Sequence, residues 1–294
     1  MNLKADIFQY TGLYAGLARY KLSLAVAFSA ATGYIISREK VDLGLLIITA
    51  GVFLLASGSA ALNQVTERIP DAVMERTRER PLPSGKLTIG KAVRAIFILL
   101  LAGSLLLASS NIYAFLLGLL CLFLYNFLYT FLKSRSVLAI VPGALVGAIP
   151  PLMGFIAAGG NLSDPRILSF SAFMLMWQLP HFWIVLLHYH DDYDRAGFIT
   201  ISRYLNDRQI RWLVLGWVLI TSVFLIVFFG ISDIFGKYVA RIVWILNPLF
   251  IILFIKTLFT RERYPGNKVN FIILNSFGAL VMISLLIDAL LHGN

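Results

Sequence analysis

Long apolar stretches separated by short polar ones dominate this chain. Nine of them have spanning length, at about 19–36, 43–62, 91–109, 112–132, 137–158, 167–188, 210–230, 239–258 and 269–291. Runs of this kind, as helices, reach across a hydrocarbon core about 30 Å thick. The pattern predicts an all-α fold: a polytopic membrane bundle of nine transmembrane helices in one domain over residues 1–294. Most connections are short, as antiparallel neighbours require, but two are longer and polar, at 63–90 and 189–209.

Composition agrees with the pattern. Hydrophobic residues make up 59% of the 294 positions and charged residues 14%, with a mean hydropathy of +0.82, far from soluble averages. The one cysteine, Cys121, lies in an apolar run, so neither a disulfide framework nor a cysteine metal site is expected. The stretch before Arg19 lacks the pattern of a removed signal peptide, so the first apolar helix is expected to remain as an anchor.

A net charge of +10 raises the possibility of nucleic acid, but the positions of the basic residues point elsewhere. With the N-terminus in the cytoplasm, the inside segments carry 19 basic residues and the outside connections five: Arg38, Lys40, Arg166, Lys237 and Arg241. That is the positive-inside asymmetry of a membrane protein, and it predicts an N-in, C-out chain with no nucleic-acid partner. Both long polar loops then fall on the cytoplasmic side. Positive-inside loops have no need of acids, yet Glu67, Asp71, Glu75, Glu79, Asp191, Asp192 and Asp194 collect there. Their concentration asks for a cation or another specific partner.

The segment NQVTERIPDAVMERTRERPLPSG, from Asn63 to Gly85, places Asn63, Glu67 and Asp71 at i, i+4 and i+8. On a continued helix these side chains share one face. An amide oxygen and two carboxylates are hard ligands suited to Mg²⁺, which commonly completes its shell with water and substrate phosphates. Arg68, Arg76, Arg78 and Arg80 follow closely and can bind phosphate oxygens. Pro70 is expected to kink or break the helix, which is acceptable beside a polar cavity. An interfacial loop whose charges pair with one another and with anionic lipid fits the same spacing.

This segment resembles the signature of the UbiA superfamily of intramembrane prenyltransferases, and MERTRERPLPSG resembles its haem O synthase (protohaem IX farnesyltransferase) branch. The resemblance implies a diphosphate-binding motif at Asn63, Glu67 and Asp71, followed by the arginine pair Arg76 and Arg80. A second region, MWQLPHFWIVLLHYHDDYDRAGF, resembles the same branch through WQLPHFW and DDYDRAG. There the resemblance implies that Asp192, with Asp191 and Asp194 beside it, assists in holding metal and diphosphate, and that Tyr193 touches substrate. The alternative for these acids is a solvated helix end.

The implied reaction transfers a farnesyl group from farnesyl diphosphate to haem b, with Mg²⁺ as cofactor, membrane lipid as surroundings and haem as substrate. Asp71, Asp192 and Arg80 are the expected catalytic residues. The expected setting is a bacterial or archaeal plasma membrane with the site at the cytoplasmic side. Lys133 and Arg135, at the end of the fourth apolar segment beside Tyr129 and Thr130, can reach phosphate oxygens, though ordinary positive-inside anchoring explains them as well. His181 can bind haem iron, orient a propionate or move a proton; a structural histidine bonded between helices fits equally. Trp177, Phe182 and Trp183 offer an aromatic wall or interfacial anchors.

The run GALVGAIPPLMGF also resembles the family, and its small residues permit close helix packing. Two positions depart from the branch: FITISRYL follows Gly197 in place of a proline-containing segment, and Ala139 stands where an Asn is usual. These departures leave a quinone precursor or another aromatic acceptor as the alternative. A secondary transporter is a rival from another class, but its ion site would lie near the bilayer midplane.

Overall fold

The computed structural model describes residues 3–259 and 263–292, with side chains described for 10–259 and 268–291. Thirteen helices follow one another, and the described residues contain no strand: α1 (Leu3–Leu17), α2 (Tyr20–Arg38), α3 (Leu43–Thr66), α4 (Arg68–Val73), α5 (Ile89–Ser110), α6 (Ile112–Phe123), α7 (Thr130–Lys133), α8 (Ile140–Ala157), α9 (Pro165–His188), α10 (His190–Arg195), α11 (Asp207–Leu225), α12 (Lys237–Leu258) and α13 (Arg263–His292). A π-helical turn, Leu124–Tyr129, joins α6 to α7, and another, Ile226–Ile231, extends α11.

Eight of the described helical stretches are long and apolar enough to cross a membrane. They make the chain an integral, multi-pass membrane protein. The ninth expected segment is α2, a 19-residue helix that is not among those eight. Its buried face carries Ser23, Ser29 and Thr32, which lower its hydropathy. Each hydroxyl donates to a backbone carbonyl, of Ala18, Val26 and Phe28 respectively, so none is left unpaired.

Small residues set the closest contact in the bundle. A Cβ added at Gly33 would strike the carbonyl of Pro151, and one at Gly154 the carbonyl of Ala30, so α2 and α8 touch backbone to backbone. This is the contact that the glycines and alanines of GALVGAIPPLMGF permit.

The chain has two distinct ends. At one, Arg166 joins α9 to the turn after α2, donating to Ile36 O and Glu39 while pairing with Asp164. Gly236 N at that end donates to Asp288. At the other end α4, α7 and α10 meet, bringing the two long polar loops together. Gly85 and Gly197 turn those loops with φ of +72°, a conformation open to glycine.

Candidate active site

The first loop is built to be rigid. The helix lapses at Glu67, yet Glu67 N still donates to Asn63 O and Asp71 N to Glu67 O, so the i, i+4, i+8 face continues from α3 into α4. Pro70 sits in the first turn of α4, where its missing N–H is tolerated. The expected break is therefore a single-residue interruption that preserves the shared face. Beyond it, Thr77 Oγ1 donates to Asp71 O, Met74 is buried, and Leu82 and Leu87 pack with Leu17, Ala61, Ala92 and Ile96.

Asn63, Glu67 and Asp71 are 2%, 5% and 1% exposed, yet all three line a cavity of about 770 Å³ between the helices. That volume lies within the range of small-molecule sites. Such deep acids need partners. Arg80 Nη1 donates to Asp71 at 2.6 Å, and Lys133 Nζ to both oxygens of Glu67 at 3.1 and 2.9 Å. Asn63 donates to Thr130 Oγ1 at 3.2 Å and accepts from the Tyr125 hydroxyl at 3.5 Å.

The π-helical turn places Tyr125 and Tyr129 on the cavity wall with their rings stacked at 5.7 Å. Such turns recur at functional sites because they turn side chains out of the regular register. Tyr129 was noted beside Lys133, whereas Tyr125 did not stand out, and nothing in their YNFLY run signals the turn.

Arg76, Arg80, Lys133 and Tyr193 also line the cavity. The Arg76 guanidinium lies 4.6 Å over the Tyr189 ring and donates to the Tyr193 hydroxyl at 3.3 Å. Burial, then the neighbouring charge of Arg19, pushes the Arg80 pKa down, although Asp71 counteracts both.

The second acidic cluster has a different geometry. Asp192 is 5% exposed and lies off the cavity wall. Its two oxygens accept from Glu75 N at 2.9 Å and Arg76 N at 3.2 Å, and one also accepts from Arg195 at 2.5 Å. Burial pushes the Asp192 carboxyl up, but Arg195 and the two backbone N–H groups hold it below the usual range. It ties one loop to the other and thereby aims Arg76 into the cavity.

Asp191 is also off the wall: it begins α10 beside His190, with its side chain 63% exposed. Arg135 is the third expected residue placed elsewhere. The chain turns after Lys133, and the Arg135 guanidinium lies 3.7 Å over the Phe131 ring. Thus the expected metal ligands Asp191 and Asp192 and the expected phosphate contact Arg135 do not face the cavity.

Deeper in, the wall becomes apolar, with Val52, Leu55, Met153 and Phe271 among its residues. His181 lines this part, 5.2 Å from the Trp177 ring and 5.0 Å from Phe271. Asn275, from α13, and Gln178 stand on the same wall. Gln178 is packed so tightly against Gly147 that a Cβ there would overlap it. Neither Gln178 nor Asn275 was marked as a candidate, because an isolated amide in an apolar run does not reveal which neighbour it faces.

Among the described residues, no three His, Cys, Asp or Glu side chains form a metal-binding group. Two carboxylates and one amide on a single face are instead the hard-oxygen set that a Mg²⁺ shared with substrate phosphates needs. The surrounding cations fit such phosphates. On that donor chemistry Asn63, Glu67 and Asp71 suit the ion.

Comparison with known proteins gives a consistent picture. The UbiA prenyltransferase family pattern matches residues 24–277. A protoheme IX farnesyltransferase of Geobacter sulfurreducens is 34% identical over 274 residues, covering 92% of this chain and 97% of that protein. One of Cytophaga hutchinsonii is 35% identical over 234 residues, covering 77% and 81%. A UbiA homologue of Archaeoglobus fulgidus, solved bound to DMAPP and Mg²⁺, shares the fold with a TM-score of 0.74 at 13% identity, covering 95% of this chain and 99% of that one. A digeranylgeranylglyceryl phosphate synthase structure has the same TM-score at 19% identity, covering 96% and 99%. By sequence pattern, near-full-length relatives and fold, the chain belongs to the UbiA prenyltransferase family.

Proposed function

We propose that the chain transfers a farnesyl group from farnesyl diphosphate to haem b, forming haem O. The observation that carries this reading is one cavity with acids and cations at its mouth and an apolar wall bearing His181 deeper in. The printed name shared by the Geobacter and Cytophaga relatives supports the choice of substrates.

Asn63, Glu67 and Asp71 would hold Mg²⁺, which would supply charge neutralisation for the diphosphate. Arg76, Arg80 and Lys133 bind its oxygens and stabilise the negative charge that grows as the allylic C–O bond breaks. Apolar walls keep water from the allylic carbon until a vinyl carbon of the acceptor attacks it. Water then adds to the resulting cation and loses a proton, leaving a hydroxyethylfarnesyl substituent and free diphosphate. His181 belongs to the acceptor side of the cavity. Asp192 acts through the loop it ties to Arg76.

The chain works as one intramembrane unit over residues 1–294, N-terminus inside, with the cavity mouth at the cytoplasmic face of a bacterial or archaeal plasma membrane. The 19 inside and five outside basic residues support that orientation.

Membranes containing the protein, given farnesyl diphosphate, haem b and Mg²⁺, are expected to form a more hydrophobic haem with the mass of the hydroxyethylfarnesyl product. Chelation should stop its formation. Prenylation of a quinone precursor with haem left unmodified would overturn the acceptor and retain the donor.

A further inference from the structure

Arg19 stands between α1 and α2 and lines the same cavity as the first acidic motif. Its backbone is left-handed, at φ 45° and ψ 49°, a region that strains an L-residue with a Cβ. The surroundings enforce this conformation. Buried Gln64, the neighbour of Asn63, donates to both Gly16 O and Leu17 O, and Ser23 Oγ donates to Ala18 O. Leu17 is 1% exposed, and Gly16 meets Pro81 of the arginine-bearing loop. The end of α1 is thereby fixed to α3 immediately beside the acidic motif.

Among the described residues Arg19 makes no ion pair, whereas Arg80 and Lys133 are paired with Asp71 and Glu67. Arg19 and Arg80 both line this cavity, with Asn63, Glu67 and Asp71. Two guanidiniums lining one cavity favour an anion between them. The neutral alternatives for Arg19, an exposed surface position or a partner carboxylate, are not what the structure shows.

The geometry points to Arg19 as a further diphosphate-binding residue, a pre-positioned guanidinium that closes with Arg80 on phosphate oxygens. This rests on the prenyl diphosphate reading of the cavity. Arg19 adds to the donor site a cation from outside both acidic motifs. The strained backbone is retained because an ordinary helical residue at this break would aim the side chain elsewhere.

The test is calorimetric titration of inorganic pyrophosphate with Mg²⁺ into the full-length protein in detergent, for wild type, Arg19→Lys and Arg19→Gly. Glycine accepts positive φ without strain, so Arg19→Gly should melt no lower than wild type. It should nevertheless bind pyrophosphate about tenfold to a hundredfold more weakly, the loss of one charged hydrogen-bonding group. Arg19→Lys should lie between the two, and Mn²⁺ affinity without pyrophosphate should be unchanged in both variants. Wild-type pyrophosphate affinity in Arg19→Gly would overturn the inference. So would a fall in pyrophosphate affinity accompanied by equal losses of Mn²⁺ affinity and melting temperature, which would assign Arg19 a folding role. If the wild type itself does not bind pyrophosphate, the donor reading fails, a result distinct from failure of Arg19 alone.

Discussion

The two acidic clusters use the same side chains for different ends. In the first, Glu67 and Asp71 face the cavity from one helical face and are held by long, movable cations, Lys133 and Arg80. In the second, Asp192 is spent on two backbone N–H groups and Arg195, while Asp191 and Asp194 surround His190 at the exposed surface. A carboxylate held by a flexible cation can exchange that partner for a metal. A carboxylate committed to backbone donors fixes loop geometry and has little left to offer an ion. The two clusters therefore differ in the direction and the prior commitments of their oxygens, not in their acidity.

The strongest test of this contrast is Asp71→Asn. Losing a cavity-facing charge should reduce farnesyl transfer by at least about a hundredfold and weaken Mn²⁺ binding, with the fold retained by circular dichroism. Undiminished Mn²⁺ affinity would remove Asp71 from the proposed ligand set.

Lys133→Met comes next. Lys133 and Glu67 side chains are only 13% and 7% exposed, so removing the cation leaves a buried carboxylate without its partner. A loss of about 3–5 kcal/mol in stability is expected. Adding Glu67→Gln should restore most of it, as thermal unfolding of the single and double variants will show. Equal melting of Lys133→Met and wild type would mean that the pair is dispensable.

Asp192→Asn should act through position. Turnover is expected to fall about tenfold as Arg76 loses its fixed backbone, while Mn²⁺ affinity stays at the wild-type value. A drop in Mn²⁺ affinity as large as that of Asp71→Asn would erase the distinction between the clusters. Acid supplies a second check. The folded carboxyl of Asp192 lies below its ordinary value, so its stabilising contribution is complete above about pH 3.9 and disappears as pH falls through the lower folded value. Between pH 5 and 8 the stability difference between wild type and Asp192→Asn should therefore be constant.

The smallest effect is expected from Asp191→Asn. Its side chain is 63% exposed and lies 3.4 Å from the His190 ring, so turnover and melting should change by less than about twofold and 0.5 kcal/mol respectively. A collapse of activity would bring Asp191 back as a ligand.

Much of this architecture follows from local pattern. The apolar runs determined eight helices long enough to span, and the four-residue spacing of Asn63, Glu67 and Asp71 determined that they share a face, because helical periodicity depends only on neighbours along the chain. Even Pro70, which suggested a break, falls at a helix start where local rules accept it. The family resemblance was legible for the same reason: its motifs are contiguous.

Other features depended on partners far away in sequence. The commitment of Asp192 to Glu75 N and Arg76 N spans more than a hundred residues, and nothing within DDYDRAG distinguishes that bond from a metal contact. Arg135 and Lys133 are two positions apart, yet the turn after α7 sends one to Phe131 and the other to Glu67. The π-helical turn that presents Tyr125 and Tyr129, and the placing of Gln178 and Asn275 around the cavity, likewise required the packed bundle. Sequence determined which residues have the chemistry and which helices carry them. Only the tertiary structure decided where each polar group finds its partner, because in a low-dielectric interior the cost of an unpaired charge is settled by whatever the fold brings within hydrogen-bond reach.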